Sequence, residues 1–200
     1  MSIIAMKSVE YDLRYIQAGL EVLEDYLLSE DVFWPMGAKP PLGEPDFPQL
    51  TLGGMLLARA RLVSQHLYPG QQEQVQRAVS SLDRYRTKWR VAWEKKARQC
   101  FQVRQRMWGD YLRDYQENQP DNADRYAYEV RLRVMLELLR SEYNIENKAE
   151  VELIMALDGY LKSALVPDGF IWEPELEAGF PPGVYWFLYG KLLLSTGKRL

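Results

Sequence analysis

Few residues of this chain combine a reactive side chain with a position that suggests chemistry. His66 is the single histidine and Cys100 the single cysteine among 200 residues, and such a pair could form a base and its nucleophile. Cys100, however, lies between Ala97 and Phe101 on an apolar helical stripe, which is typical of a buried structural thiol. His66 lies near the end of a predicted helix, where capping or surface exposure is the ordinary role. We therefore predict no catalytic residues and a protein that is not an enzyme.

The sequence also lacks the motifs of metal-binding and phosphate-binding sites. With one His and one Cys, the chain lacks the paired Glu-x-x-His motifs that helical di-iron proteins use. Gly53 and Gly54 are not preceded by a predicted strand or followed by Gly-Lys-Ser/Thr, so they do not form a phosphate loop. The nearest carboxylate clusters have the spacing of solvated helix faces: Glu21, Glu24 and Asp25, and Glu150 and Glu152. We predict no metal and no cofactor.

Two arginines are harder to explain as surface residues. Arg86 and Arg104 are eighteen residues apart on a helix predicted over 71–117, so at 3.6 residues per turn they share one side of it. That side is the apolar one, where an unpaired guanidinium is costly. The favoured interpretation is an ion pair with acids of neighbouring helices. The alternative is a pocket for an anionic small molecule, formed with Tyr85 and Trp89.

A line of basic residues follows the opposite side of the same predicted helix. Its members fall within roughly 20° of one line in helical projection: Arg77, Arg84, Lys88, Lys95, Arg106 and Arg113. Such a face could bind a nucleic-acid phosphate backbone without sequence specificity. The alternative is that these side chains solubilise the helix or pair with acidic helices. The net charge of −3 favours this alternative.

The hydrophobic pattern predicts an all-α fold. Apolar residues from Val9 to Leu27 recur at steps of four and three, and Ser8 is a suitable N-cap. Predicted helices span 8–29, 50–68, 71–117, 120–143, 147–165 and 184–196. We expect one domain over 1–200, a bundle of about six helices around the long helix 71–117, which could protrude from it. The last helix is apolar nearly all round and should be buried in the core or in a subunit interface.

Two segments rich in proline and aromatic residues separate these helices. Residues 30–49 and 166–183 contain too many prolines for a helix and too many apolar residues for a disordered linker. We predict ordered arms whose aromatic residues contact a partner: Phe33, Trp34, Phe47, Phe170, Trp172 and Phe180. The alternative is that these rings only cover the core.

These features favour a non-catalytic helical adaptor or accessory subunit, which we expect to be bacterial and to bind itself or another protein. A nucleic-acid-associated small subunit and an anionic-ligand binder are the alternatives. The single cysteine is typical of a reducing compartment. No secretory signal is recognisable in 1–14, and the apolar run 184–194 is too short to span a membrane. We therefore predict a soluble cytoplasmic protein without a membrane partner.

Overall fold

The computed structural model describes residues 8–143 and 148–193, and most of these residues are helical. The α-helices are α1 (Val9–Glu21), α2 (Leu23–Leu28), α3 (Leu52–Ser64), α4 (Pro69–Lys88), α5 (Arg90–Glu117), α6 (Gln119–Asn122), α7 (Tyr126–Glu129), α8 (Arg131–Arg140), α9 (Lys148–Ala164) and α10 (Pro182–Tyr185). Short 3₁₀ helices span Ala123–Arg125, Pro174–Gly179 and Trp186–Leu188. Strands β1 (Leu165–Pro167) and β2 (Gly190–Leu192) form a small antiparallel sheet. The all-α class is confirmed.

Helix α5 is the spine of the bundle. It packs most extensively on α8 and also contacts α2, α3, α4, α6 and α9. Its inner side chains Trp93, Phe101, Trp108 and Tyr115 are almost completely buried. Large rings at helical spacing therefore form the centre of a single hydrophobic core.

Two predicted helices are interrupted at one residue each. Val22 (φ −115°, ψ 7°) separates α1 from α2, and Trp89 (φ −111°, ψ 35°) separates α4 from α5. The long helix predicted over 71–117 is therefore two helices, with α4 against α1 and α5 against α8. Branched and aromatic residues have modest helix propensity, so tertiary packing can override the helical conformation at these positions.

The C-terminal prediction of a helix over 184–196 is wrong. Helix α10 ends at Tyr185, a 3₁₀ turn follows, and Gly190–Leu192 forms β2. A Cβ on Gly190 would lie 2.7 Å from the Val166 carbonyl oxygen, so glycine permits the close pairing of β2 with β1. Residues 194–196 lie outside the described residues.

The other helical predictions hold with changed boundaries. The helix predicted over 50–68 ends at Ser64, and that predicted over 120–143 is divided into α6, a 3₁₀ turn, α7 and α8. The helix predicted over 147–165 is observed from Lys148 to Ala164, while its predicted cap Asn147 is outside the described residues. Ser8 accepts a hydrogen bond from the Tyr11 backbone N–H, as an N-cap does. Over the described ranges, no helix is both long and apolar enough to cross a bilayer.

Candidate functional site

A cavity of about 450 Å³ lies between the arm 30–49 and helices α1, α3, α5, α7 and α8. This volume falls in the range of small-molecule sites. The arm forms one wall and is held to the bundle at its base, where Trp34 and Leu50 exchange backbone hydrogen bonds of 3.0 and 2.8 Å. Lys96 holds the start of the arm, because its Nζ donates to the carbonyl oxygens of Ser29 and Asp31 at 2.8 and 2.7 Å. The cavity is thus bordered by ordered elements.

Arg104 brings a buried guanidinium to this cavity from α5. The residue is only 8% exposed. Its Nη2 donates to Thr51 Oγ1 at 3.1 Å, its Nη1 approaches Met107 Sδ at 3.2 Å, and the Phe33 ring lies 5.2 Å from the guanidinium carbon. Among the residues that the structure describes, no carboxylate forms an ion pair with it. Burial lowers the pKa of Arg104, and the nearby charge of Arg131 lowers it further.

The two other arginines of the cavity already have acidic partners. Arg61 Nε donates to Asp12 Oδ2 at 2.8 Å, and both side chains are largely buried. Arg131 lies on α8 with its Nη1 3.3 Å from Glu129 Oε2. Arg104 therefore differs from both in having no carboxylate partner within the described ranges.

Charge in the cavity lining is not balanced. Three arginines face it, while Asp12 and Asp46 supply the two carboxylates of the lining. One positive charge is in excess, and Glu129, which lies outside the lining, is shared between Arg131 and Arg125. In a partly buried site, such an excess favours an anion.

Neutral hydroxyl groups lie beside the arginines. Tyr11 and Tyr15 donate to the carbonyl oxygens of Asp46 and Gln49, each at 3.3 Å. Burial is the main cause that raises the pKa of Tyr11 to about 12, and it raises the pKa of Tyr15 as well. Both phenols therefore stay uncharged near neutral pH and do not compete with an anion for the guanidinium groups.

Apolar side chains form another part of the cavity lining. Phe33, Pro45 and Pro48 come from the arm, Leu57 from α3 and Met135 from α8. Apolar walls with a few convergent polar groups are the usual composition of a small-molecule site.

The two arginines that were predicted to share one side of a helix, Arg86 and Arg104, have different environments in the structure. Arg86 lies on α4 and its Nε donates to Glu142 Oε2 at 2.8 Å, so the favoured ion-pair interpretation is correct for Arg86. Tyr85 and Trp89 do not line the cavity with Arg104. The interruption at Trp89 places Arg86 and Arg104 on different helices, so the eighteen-residue spacing no longer places them on one side of a single helix.

Most of the predicted basic line is paired with acids. Lys88 and Lys95 contact Glu24 and Glu30 at 3.4 and 2.7 Å. The remaining side chains have local partners or line a groove: Arg77 pairs with Glu73, Arg113 with Asp110 and Arg84 with Ser81 Oγ, while Arg106 lies in a groove between α5 and α9. The line is also divided at Trp89, so it is not one continuous charged face.

The aromatic residues of the two arms mainly contact their own core. Trp34 packs edge-on against Tyr26, and Phe47 against Tyr11 and Tyr15. In the second arm, Phe170 contacts Tyr189, Trp172 contacts Phe180 and donates to the Ala127 carbonyl, and Phe180 is fully buried. Phe33 is the exception, because it is 39% exposed and lines the cavity.

His66 and Cys100 do not form a dyad. His66 is exposed beyond the end of α3, whereas Cys100 is buried on α5 with its Sγ 3.3 Å from the Tyr26 hydroxyl. Of the carboxylates considered for a metal, Glu150 is buried and accepts from Gln102 Nε2 at 2.8 Å. Across residues 8–143 and 148–193, no group of three potential ligands could hold a metal ion.

Sequence reasoning missed most of the groups around Arg104. Thr51, Arg61, Tyr128 and Arg131 belong to three helices or their caps, and no local motif links them. The spacing of Tyr11 and Tyr15 by one helical turn was the available signal, because it places two hydroxyl-bearing rings on one face of α1.

Comparisons with protein-family models, with curated proteins and with solved structures find no match to this chain.

Proposed function

We propose that this protein binds a small organic anion in the cavity between the arm 30–49 and the helical bundle, with Arg104 as the principal charge partner. The observation that carries the proposal is an arginine that is 8% exposed, lines a cavity of about 450 Å³ and has no carboxylate partner in the described chain. A buried charge without a counter-charge is costly. A bound anion would supply the missing charge.

The neighbouring groups support binding rather than catalysis. Asp12 is engaged by Arg61, the phenols of Tyr11 and Tyr15 are held neutral, and Cys100 is buried outside the cavity lining. The lining therefore offers donors to an anion without an evident nucleophile and base. The free thiol of Cys100 also suits the cytoplasm, the location that we propose.

The adaptor and nucleic-acid hypotheses stay predictions with less support. Five of the six aromatic arm residues pack against the core of their own chain, and most of the basic line has acidic partners. Neither surface has an unexplained buried group comparable to Arg104.

The experiment is a thermal-shift screen of alkyl and aryl carboxylates and phosphates, followed by calorimetry of the hits. A ligand that binds the native state raises the melting temperature by mass action. We expect saturable binding by the wild type and a loss of at least about tenfold in affinity for Arg104→Met, since a charged hydrogen bond contributes roughly 1.5–3 kcal/mol. Arg86→Met removes an arginine outside the cavity and should retain the binding. Equal affinity of wild type and Arg104→Met would refute the proposal.

A further inference from the structure

The residue next to Arg104 sharpens the chemistry of the proposed site. Thr51 is 1% exposed and lines the cavity. Its Oγ1 is the N-cap of α3, accepting from the Gly54 N–H at 3.0 Å, and it also accepts from Arg104 Nη2 at 3.1 Å. A hydroxyl oxygen has two lone pairs, so both are used.

The hydrogen of the Thr51 hydroxyl is therefore left as a donor. No acceptor for it occurs among the side-chain hydrogen bonds of the described residues. Because Thr51 and Arg104 line the same cavity, one oxygen of a bound anion could accept from this hydroxyl while the guanidinium binds the anion. Thr51 would thus be a ligand-binding residue as well as a helix cap.

The charge of the lining limits how many negative charges the ligand brings. Three arginines and two aspartates leave one positive charge in excess. A carboxylate with one charge neutralises this excess, whereas a phosphate monoester carries about −1.5 to −2 at neutral pH. The surplus charge of a dianion would be held near Asp12 and Asp46 without a further cation, and that is unfavourable in a partly buried site.

The other walls indicate the body of the ligand. Phe33, Pro45, Pro48, Leu57 and Met135 present apolar surface. At Gly54, an added Cβ would lie 2.7 Å from the Tyr15 hydroxyl and 3.1 Å from Thr51 Oγ1. There is thus no room for a side chain at Gly54 beside the polar groups, and the apolar side chains of the lining can contact the body of a ligand whose anionic end lies at Arg104.

We infer that the ligand is an organic monocarboxylate with an apolar or aromatic body, and that Thr51 and Arg104 bind its carboxylate. This inference rests on the proposed function, since it names the chemical class of the anion bound in that cavity.

The test compares probes that share a body and differ in the anionic group. Calorimetry at pH 8 measures 3-phenylpropionate against 2-phenylethyl phosphate, and hexanoate against pentyl phosphate. We expect each carboxylate to bind at least about tenfold more tightly than its phosphate partner, equivalent to about 1.4 kcal/mol. Thr51→Val should weaken the binding of 3-phenylpropionate at least about threefold, and Thr51→Ser, which keeps the hydroxyl, should bind it as tightly as the wild type.

Calorimetry under conditions in which every variant is folded separates ligand binding from helix capping. Loss of the α3 cap in Thr51→Val lowers the free energy of unfolding, which does not change the affinity of the molecules that stay folded. Phosphates that bind as tightly as the carboxylates would overturn the assignment of a monocarboxylate while leaving an anion site in place. Wild-type affinity of Thr51→Val for 3-phenylpropionate would overturn the role of Thr51. If neither carboxylates nor phosphates bind the wild type, the proposed function itself fails.

Discussion

Replacing Arg104 with methionine should stabilise the protein in the absence of ligand while removing ligand binding. Methionine has a similar length and flexibility and fills a buried site without a charge. The matched control is Arg133→Met on α8. Arg133 is also buried, but its Nε and Nη2 donate to Asp158 at 2.8 and 2.9 Å, and its Nη1 donates to Glu137 at 3.1 Å.

The magnitude follows from the partners of each arginine. Burial of a charge costs several kcal/mol even after relaxation. Arg104 recovers about 1.5–3 kcal/mol from its hydrogen bond to Thr51, and about 0.5–1 kcal/mol from the Phe33 ring. We therefore expect Arg104→Met to raise the free energy of unfolding by about 1–2 kcal/mol. Arg133→Met leaves Asp158 without its cation and removes the closer of the two cations of Glu137, the other being Arg140 at 3.8 Å, and it should lower the free energy of unfolding by about 3–5 kcal/mol.

Urea denaturation of both variants, without added ligand, measures the difference. For a chain of this size, 1 kcal/mol corresponds to about 2–4 °C in melting temperature, so thermal unfolding gives a second reading. A loss of more than about 1 kcal/mol in Arg104→Met would refute the reasoning, because it would mean that the guanidinium is already compensated in the ligand-free protein.

Three further predictions concern other parts of the fold. The pKa of Tyr11 is raised to about 12 in the folded protein, so the unfolded chain loses this proton first as the pH rises. The contribution of Tyr11 to the free energy of unfolding is therefore fully present below pH 10 and is lost between pH 10 and about 12. In this pH range, Tyr11→Phe should therefore reduce the slope of the unfolding free energy against pH by up to about 1.4 kcal/mol per pH unit. Denaturation at each pH measures this slope, and an unchanged slope would contradict the prediction. Cys100 is 1% exposed and contacts Tyr26, so a thiol reagent should modify it at least about a hundredfold more slowly in the native than in the unfolded protein, and equal rates would place the thiol at the surface. A Cβ at position 179 would lie 1.6 Å from Ser64 Oγ, so Gly179→Ala should lower the unfolding free energy by about 1–3 kcal/mol in denaturant titration, whereas Gly169→Ala, which has open space, should not.

The sequence allowed the helical class and many buried faces to be predicted, because periodicity records which side of a helix is apolar. Leu13, Ile16, Leu23 and Leu27 are buried as the pattern of the first predicted helix requires. The same periodicity continues across Val22, so it could not reveal where α1 ends. A single-residue interruption costs little and is decided by tertiary packing.

Neither strand β2 nor the cavity could be predicted from the local sequence, because both form through contacts between residues that are distant in the chain. Gly190–Leu192 forms a strand because β1 lies beside it, a contact that the local sequence pattern cannot predict. Arg104 could be singled out as a charge on an apolar face. Its environment depends on Thr51 and Arg131, which reach the cavity only through the packing of α3 and α8 on α5.

A crystal structure of the protein with 3-(4-bromophenyl)propionate tests the central claim most directly. Anomalous scattering locates the bromine independently of interpretation of the remaining density. We expect the bromine to lie among the apolar side chains of the cavity, with the carboxylate within hydrogen-bonding distance of Arg104 and Thr51. A ligand bound only outside the cavity, or a carboxylate of the protein paired with Arg104, would contradict it.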